Sequence, residues 1–385
     1  MQHAIVITGI GAITPAGIGT QAFWDAVING RQCFVESERF APIGRLCAQV
    51  SGVDSALSDR RFRRAADISK YALVAIKETV ADAGLDLAKL DPARIGLVMG
   101  ITHGAINFTR EFHAGFVKDG TAGASPMYFS DSVLNAPAGN VSIALNIKGP
   151  THTVVGDSNA GFSALSYGLR LLEHGNVDVC FIGGAEELDA VTAGAYAKLN
   201  LRSPNDGGAE DIRPFAPDKN GFIIGEGACV LTLERMETAV KRGAKIYARI
   251  ASADFFAQPQ KAASLAPGFA GVDVLVSSGA NGTRFDEFEA TLLSTALSGA
   301  ASMRLFCLKR LLGESFAPAG VMQTAAAALA INLSVTPPSS IAYPLPHELA
   351  VCGNTAVNAK VAVASGAGTK GSGYIVTLEA PRRDG

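Results

Sequence analysis

The sequence predicts an α/β protein of two similar lobes, and three observations carry that prediction. Short, β-branched apolar runs alternate with longer stretches whose apolar residues recur at helical spacing, as when strands feed helices. The same coarse order restarts after Arg242-Gly243. A chain of 385 residues, 48% hydrophobic with 42 glycines, is long enough for more than one lobe and lets strands and helices approach closely.

The elements follow in order. Ile5 to Thr8 reads as a strand broken by Gly9 and Gly11, and Phe23-Trp24-Asp25-Ala26-Val27 opens a helix. From Asp67, DISKYALVAIKETVADAGL holds apolar residues at helical spacing and stops at Gly84, a residue type that ends helices readily. RIGLVMG (94–100) reads as a fully buried strand. THTVVGDSNAGFSALSYGLRLLEHG (151–175) is a strand to Val155, a sharp Gly-Asp-Ser turn and an amphipathic helix ending near Gly175. VDVCFIGGAEE (177–187) is another buried strand, and GACVLTLE (227–234) closes the first half after the polar stretch NLRSPNDGGAEDIRPF. In the second half AKIYARIASADF (244–255) and GVDVLVSS (271–278) read as strands, VMQTAAAALAINL (321–333) as a core helix and SGYIVTLEA (372–380) as the last strand. The expected lobes are 1–240 and 241–385.

A formal net charge of −2 without a Lys/Arg tract gives no footprint for nucleic acid. No run approaches 18 apolar residues, so no membrane span is expected. The N-terminus has no basic region before its short apolar run, and a cytoplasmic location is expected. The six cysteines lack ligand-like spacing and read as buried free thiols; no metal and no cofactor are expected.

Several blocks carry chemistry: VITGIGAITPAGIG with FWDAVINGR (6–31), GPTHTVVGDSNAGFSAL (149–165) with CFIGGAEE, and RPFAPDKNGFIIGEGACVLTLE (213–234). Together, over nearly the whole chain, they resemble the β-ketoacyl-[acyl-carrier-protein] synthases of the thiolase superfamily. The resemblance implies a thiolase-like fold, two similar α/β lobes forming a layered α-β-α-β-α core. In that family a cysteine at a strand-to-helix turn attacks an acyl thioester, its thiolate favoured by the positive end of the helix dipole. Two histidines bind the carrier-linked malonyl carbonyl and assist decarboxylation, and backbone amides hold the thioester oxyanion.

All three side chains are replaced. Counted from Gly149-Pro150 or from Gly183-Gly184, the cysteine position falls on Ser158. The first histidine motif reads SSGANGTRFDEFEA, which puts Ser278 at the histidine and keeps Gly279, Asp286 and Glu289 in pattern. The second reads KRLLGESFAPAG, keeping Lys309 and Gly313 with Glu314 in the histidine's place. The six histidines (His3, His103, His113, His152, His174, His347) lie outside both motifs. The resemblance thus implies a subunit without condensing activity, as in the chain-length factors of type II polyketide systems and similar aryl-polyene subunits. Those pair with an active β-ketoacyl synthase and serve an acyl carrier protein, although glutamine, not serine, is typical of their elbow.

Other readings stand beside this one. Ser158 is also a candidate nucleophile of an acyl-thioester hydrolase or acyltransferase, which would need a base and an orienting group in reach. A homodimeric condensing enzyme with an unexpected nucleophile is a third possibility. Glu314 reads as an ion-pair partner of Lys309 in preference to a general acid or base. Phe108, Phe112 and Phe116 recur at helical spacing. With Met127 and Phe129 they are candidates for tunnel or interface positions, against ordinary packing. Arg60, Arg61, Arg63 and Arg64 form either a solvated face or a meeting place for an acidic carrier. SGAGTKGSG (365–373) is read as a structural turn, since no phosphate-loop pattern surrounds it.

Overall fold

Ten strands carry the architecture: β1 (Ile5–Thr14), β2 (Ile95–Ile101), β3 (Thr151–Val155), β4 (Val179–Glu186), β5 (Gly227–Arg235), β6 (Ala248–Phe256), β7 (Asp273–Ser278), β8 (Ser302–Cys307), β9 (Val361–Ala367) and β10 (Gly373–Glu379). The longer helices are α1 (Thr20–Ile28), α2 (Asp67–Asp82), α3 (Ile106–Asp119), α4 (Pro126–Ser132), α5 (Ala136–Leu145), α6 (Ala160–Glu173), α7 (Ala190–Lys198), α8 (Asp286–Ala296) and α9 (Ala317–Leu333). The structure is a computed structural model that describes residues 4–40, 44–57, 59–339 and 359–381; His3, His347 and Cys352 lie outside them.

The strands pair in the order β8-β7-β9-β10-β6-β1-β5-β4-β2-β3, and the two-residue strand Gly17–Ile18 folds back on β1. From either edge inwards, each half has its third strand outermost, then its second, fourth, fifth and first. The outer three are parallel and the inner joins antiparallel in both halves. The halves meet where Ile5, Val6 and Ile7 pair with Ile250, Arg249 and Ala248.

Helices complete five layers. α2 covers β1, β4 and β5 on one outer side, and α8 covers β9 and β10 on the other. Between the halves lie α6 and α9, packed on one another, with α9 touching strands of both halves. α9 is buried from Ala317 to Ile331, which its alanine-rich sequence permits because a helix apolar on every side belongs in a core. Gly161 lets the two central helices approach: a Cβ there would stand 2.3 Å from the Ala317 carbonyl oxygen.

One element differs from the sequence reading. β1 does not break at Gly9 and Gly11 but continues to Thr14, with a register irregularity between Ile7 and Gly9. These glycines are contact residues, since a Cβ on Gly9 would lie 2.5 Å from the Thr79 carbonyl oxygen and one on Gly11 2.0 Å from that of Ala75. α2 therefore lies directly on the strand backbone. Cys33, Cys47, Cys180, Cys229 and Cys307 are buried thiols outside any disulfide, and burial pushes the Cys47 thiol up to about 11.

Candidate functional site

The central helices bring their N-termini to one place. β3 ends at Val155, the chain turns through Gly156, Asp157, Ser158 and Asn159, and α6 begins at Ala160. Gly100 lets this elbow sit against β2, as a Cβ there would be 2.7 Å from the Ala160 carbonyl. The turn between β9 and β10 lies over the elbow. A Cβ on Gly368 would stand 2.5 Å from Asp157 Oδ2, and one on Gly366 2.8 Å from Asn159 Oδ1. The glycine-rich run is thus required by close approach.

Ser158 is half-buried at this elbow and lines a small cavity. Its neighbour Asp157 is turned away: Oδ1 accepts from Asn159 N at 3.0 Å and Oδ2 from Thr369 N at 3.1 Å. Among the described residues no hydrogen bond involves Ser158 Oγ, so no base is hydrogen-bonded to it. A serine hydroxyl without that help stays protonated at neutral pH and attacks poorly.

Across the cavity, Glu314 is fully buried and saturated with donors. Lys309 Nζ lies 2.7 Å from its Oε2 in an ion pair. Asn281 Nδ2 donates to the same oxygen at 2.7 Å, and Phe316 N donates to Oε1 at 2.8 Å. The Glu314 backbone is clamped as well, its N–H donating to the Ile223 carbonyl at 2.8 Å and its carbonyl accepting from Gly225 N at 2.9 Å. Segment 223–225 belongs to the arginine-proline-phenylalanine and glycine-glutamate-glycine block, so that block shapes the site by holding the loop that bears Glu314.

The structure separates Ser278 from this group. Ser278 is fully buried at the end of β7, donates to Glu289 Oε1 at 2.8 Å and accepts from Ala280 N. The residue facing Glu314 is Asn281. Counting back from Asp286 and Glu289 leads to Ser278, three residues before Asn281. Asp286 fixes that loop by accepting from the backbone N–H groups of Asn281, Gly282 and Phe215 at 2.9–3.0 Å. Burial pushes the Asp286 carboxyl up to about 6 and that of Glu289 up to about 7.

Aromatic rings fill the rest of the site. Phe316 stacks on Tyr196 with ring centroids 5.0 Å apart and meets Phe222 and His103 edge-on. Tyr196, Phe222, Phe285 and Phe316 share the cavity wall with Ser158, Asn281 and Lys309, leaving a small volume of about 40 Å³. His103 is not on that wall; Nε2 lies 3.1 Å from the Tyr196 hydroxyl, and burial holds its imidazole below the ordinary value. Among the described residues no group of three or more His, Cys, Asp or Glu is arranged to hold a metal.

The aromatic candidates of α3 gather elsewhere. Phe108 meets Tyr128 edge-on and Phe112 packs on Phe129, while Phe116, Met127 and Phe129 are 43–55% exposed. None of them lines the Ser158 cavity. Phe108 and Met127 border an open cavity of about 470 Å³ with Arg63, Arg64 and Lys70. The apolar surface continues over Val133, Leu134 and Ile143 and along the edge strand β3, where Val155 is 55% exposed.

Comparison with known proteins gives a consistent result. The family model described as "Beta-ketoacyl synthase, N-terminal domain" matches residues 2–239. The chain is 29% identical over 376 residues to a putative polyketide beta-ketoacyl synthase 1 of Streptomyces halstedii, covering 88% of each chain. It is 29% identical over 256 residues to a 3-oxoacyl-[acyl-carrier-protein] synthase 2 of Vibrio cholerae, covering 65% of this chain and 62% of that one. Among solved structures, the ishigamide ketosynthase/chain length factor superposes with a TM-score of 0.87 at 22% identity, over 99% of this chain and 100% of that one. This likeness shows that the fold is the thiolase-like ketosynthase fold.

Proposed function

Because this chain belongs to the beta-ketoacyl synthase family, we propose that it is a non-condensing, chain-length-factor-like subunit that pairs with an active β-ketoacyl synthase in polyketide, aryl-polyene or fatty-acid-like biosynthesis. One observation carries the reading. Glu314, which motif spacing assigns to the place of a catalytic histidine, is a buried carboxylate whose oxygens are taken up by Lys309, Asn281 and Phe316 N, so this position offers no imidazole for malonyl decarboxylation. The absence of a hydrogen-bonded base at Ser158 among the described residues supports the same reading for the elbow.

The pairing part rests on β3, an edge strand whose outer side is unpaired among the described residues, flanked by exposed apolar side chains of α3, α4 and α5. Such an edge with a contiguous apolar surface invites another chain. Phe108, Phe112, Phe116, Met127 and Phe129 are proposed to face the partner and to bound the acyl tunnel it houses. A type II polyketide acyl carrier protein is in complex with its ketosynthase in a structure of the same fold, with a TM-score of 0.86 and 21% identity over 99% of this chain and 100% of that one. Service to an acyl carrier protein is part of this proposal, as are a cytoplasmic location and the lobes 1–240 and 241–385, the latter supported by the repeated strand order.

Co-expression with a synthase that keeps its cysteine and both histidines tests the reading. The expected result is a stable complex by gel filtration that forms product, with no thioester turnover by this chain alone. A self-contained homodimer that condenses or hydrolyses acyl thioesters would overturn it.

A further inference from the structure

Glu314 does more than stand in for a lost group, and the reason lies in Phe316. That residue holds φ 58° and ψ −118° at the entrance to α9, a region L-residues with bulky side chains rarely adopt and that surrounding structure must impose. What imposes it is visible. Phe316 N donates to Glu314 Oε1, while Lys309 Nζ and Asn281 Nδ2 fix Oε2. Thr283 Oγ1 in turn donates to Asn281 Oδ1 at 2.7 Å, so the amide has one orientation. Glycine at 313 completes the fixture, because its φ is +74° and a Cβ there would stand 2.8 Å from that of Ala48.

The forced backbone has a consequence for the ring. Phe316 is 3% exposed and wedged among Tyr196, Phe222 and His103, on the wall of the cavity that Ser158 also lines. The free space left beside the ring is small, about 40 Å³.

We infer that Lys309, Glu314 and Asn281 form a latch that holds the Phe316 ring as a plug, closing a cryptic apolar site beside Ser158 that would otherwise take a small aromatic or acyl group. The inference does not depend on the partner. A chain that acts alone or in a pair has the same closed pocket, and a failure of either idea leaves the other standing.

A thiol placed at the elbow reports closure. In Ser158→Cys, alkylation by N-phenylmaleimide is measured at position 158 by peptide mass spectrometry, which separates it from the other cysteines. Adding Phe316→Gly removes the ring and suits the positive φ, so labelling is expected to accelerate by about tenfold or more, because the reactive population is no longer limited by a rarely open form. Adding Glu314→Gln instead keeps the ring but sets an amide N–H₂ against the Lys309 and Asn281 donors. It is expected to accelerate labelling by a smaller factor, and it decides the matter should the glycine variant fail to fold. Equal labelling rates in Ser158→Cys and in the double variants that fold would overturn the inference.

Discussion

Lys309→Met isolates the interaction at the centre of the site. The Lys309 and Glu314 side chains are 6% and 0% exposed and their charged atoms are 2.7 Å apart, so removing the ammonium leaves a buried carboxylate without its counter-charge. Breaking a buried pair from one side costs about 3–5 kcal/mol. At about 2.1 cal/mol/K of unfolding entropy per residue, the 385-residue chain has roughly 0.8 kcal/mol/K, so the midpoint should fall by roughly 4–6 °C. Lys309→Met with Glu314→Gln removes both charges while keeping an acceptor for Phe316 N, and should recover about 2–3 kcal/mol as a coupling term. Thermal melts followed by circular dichroism, with denaturant titrations of the four proteins of the cycle, provide the numbers. A Lys309→Met variant within about 0.5 kcal/mol of the parent, the range of ordinary surface changes, would refute the pair's role. Strict additivity of the two substitutions would do the same.

Two further perturbations read other parts of the account. Glu289 accepts Ser278 Oγ, Gly279 N and Ser365 Oγ all at Oε1, so Glu289→Gln keeps every bond while deleting a carboxyl that burial raises from 4.5 to about 7. A raised acid binds its proton more tightly folded than unfolded. Its stabilisation is complete below the unfolded value and lost as pH rises through the folded one, so the variant should gain on the parent between about pH 5 and 8 by up to about 3 kcal/mol. A pH-independent difference in stability rules this out. In the reconstituted pair, Phe112→Ala and Phe116→Ala should lengthen the product by at least one extender unit, read by mass spectrometry; unchanged length for both removes these residues from the tunnel.

Much of the fold was legible because its signals are local. The strand at 177–187, the elbow unit at 151–175 and the helix from Asp67 each carry their own periodicity, and the structure has them as β4, β3 with α6, and α2. What local pattern could not give was contact at a distance. Gly9 and Gly11 look like breaks from sequence, yet they are the places where α2 lies on β1. β8 and β9 were not singled out because a six-residue run such as SMRLFC and the glycine-bearing VAVASGA are ambiguous until their parallel neighbours are known.

The site shows the same division. The Lys309–Glu314 pair follows from charge alone, while Ser158 and Glu314 are assigned to the catalytic positions by fixed spacing to rigid elements, as part of the proposal. The loop between β7 and α8 has no such ruler, and the contact of Asn281 with Glu314 is visible only in the structure. Phe316 carried no signal at all: only its backbone angles and ring contacts reveal it.

The central claim is that the elbow serine does no chemistry, and one measurement addresses it most directly. The complex of this chain with its active synthase is assembled with Ser158 and with Ser158→Ala, supplied with acyl and malonyl carrier thioesters, and followed for product rate and for intact mass of this subunit. The account predicts equal rates and no acyl adduct on either form. An acyl group on Ser158, or a large loss of product in Ser158→Ala, would contradict it.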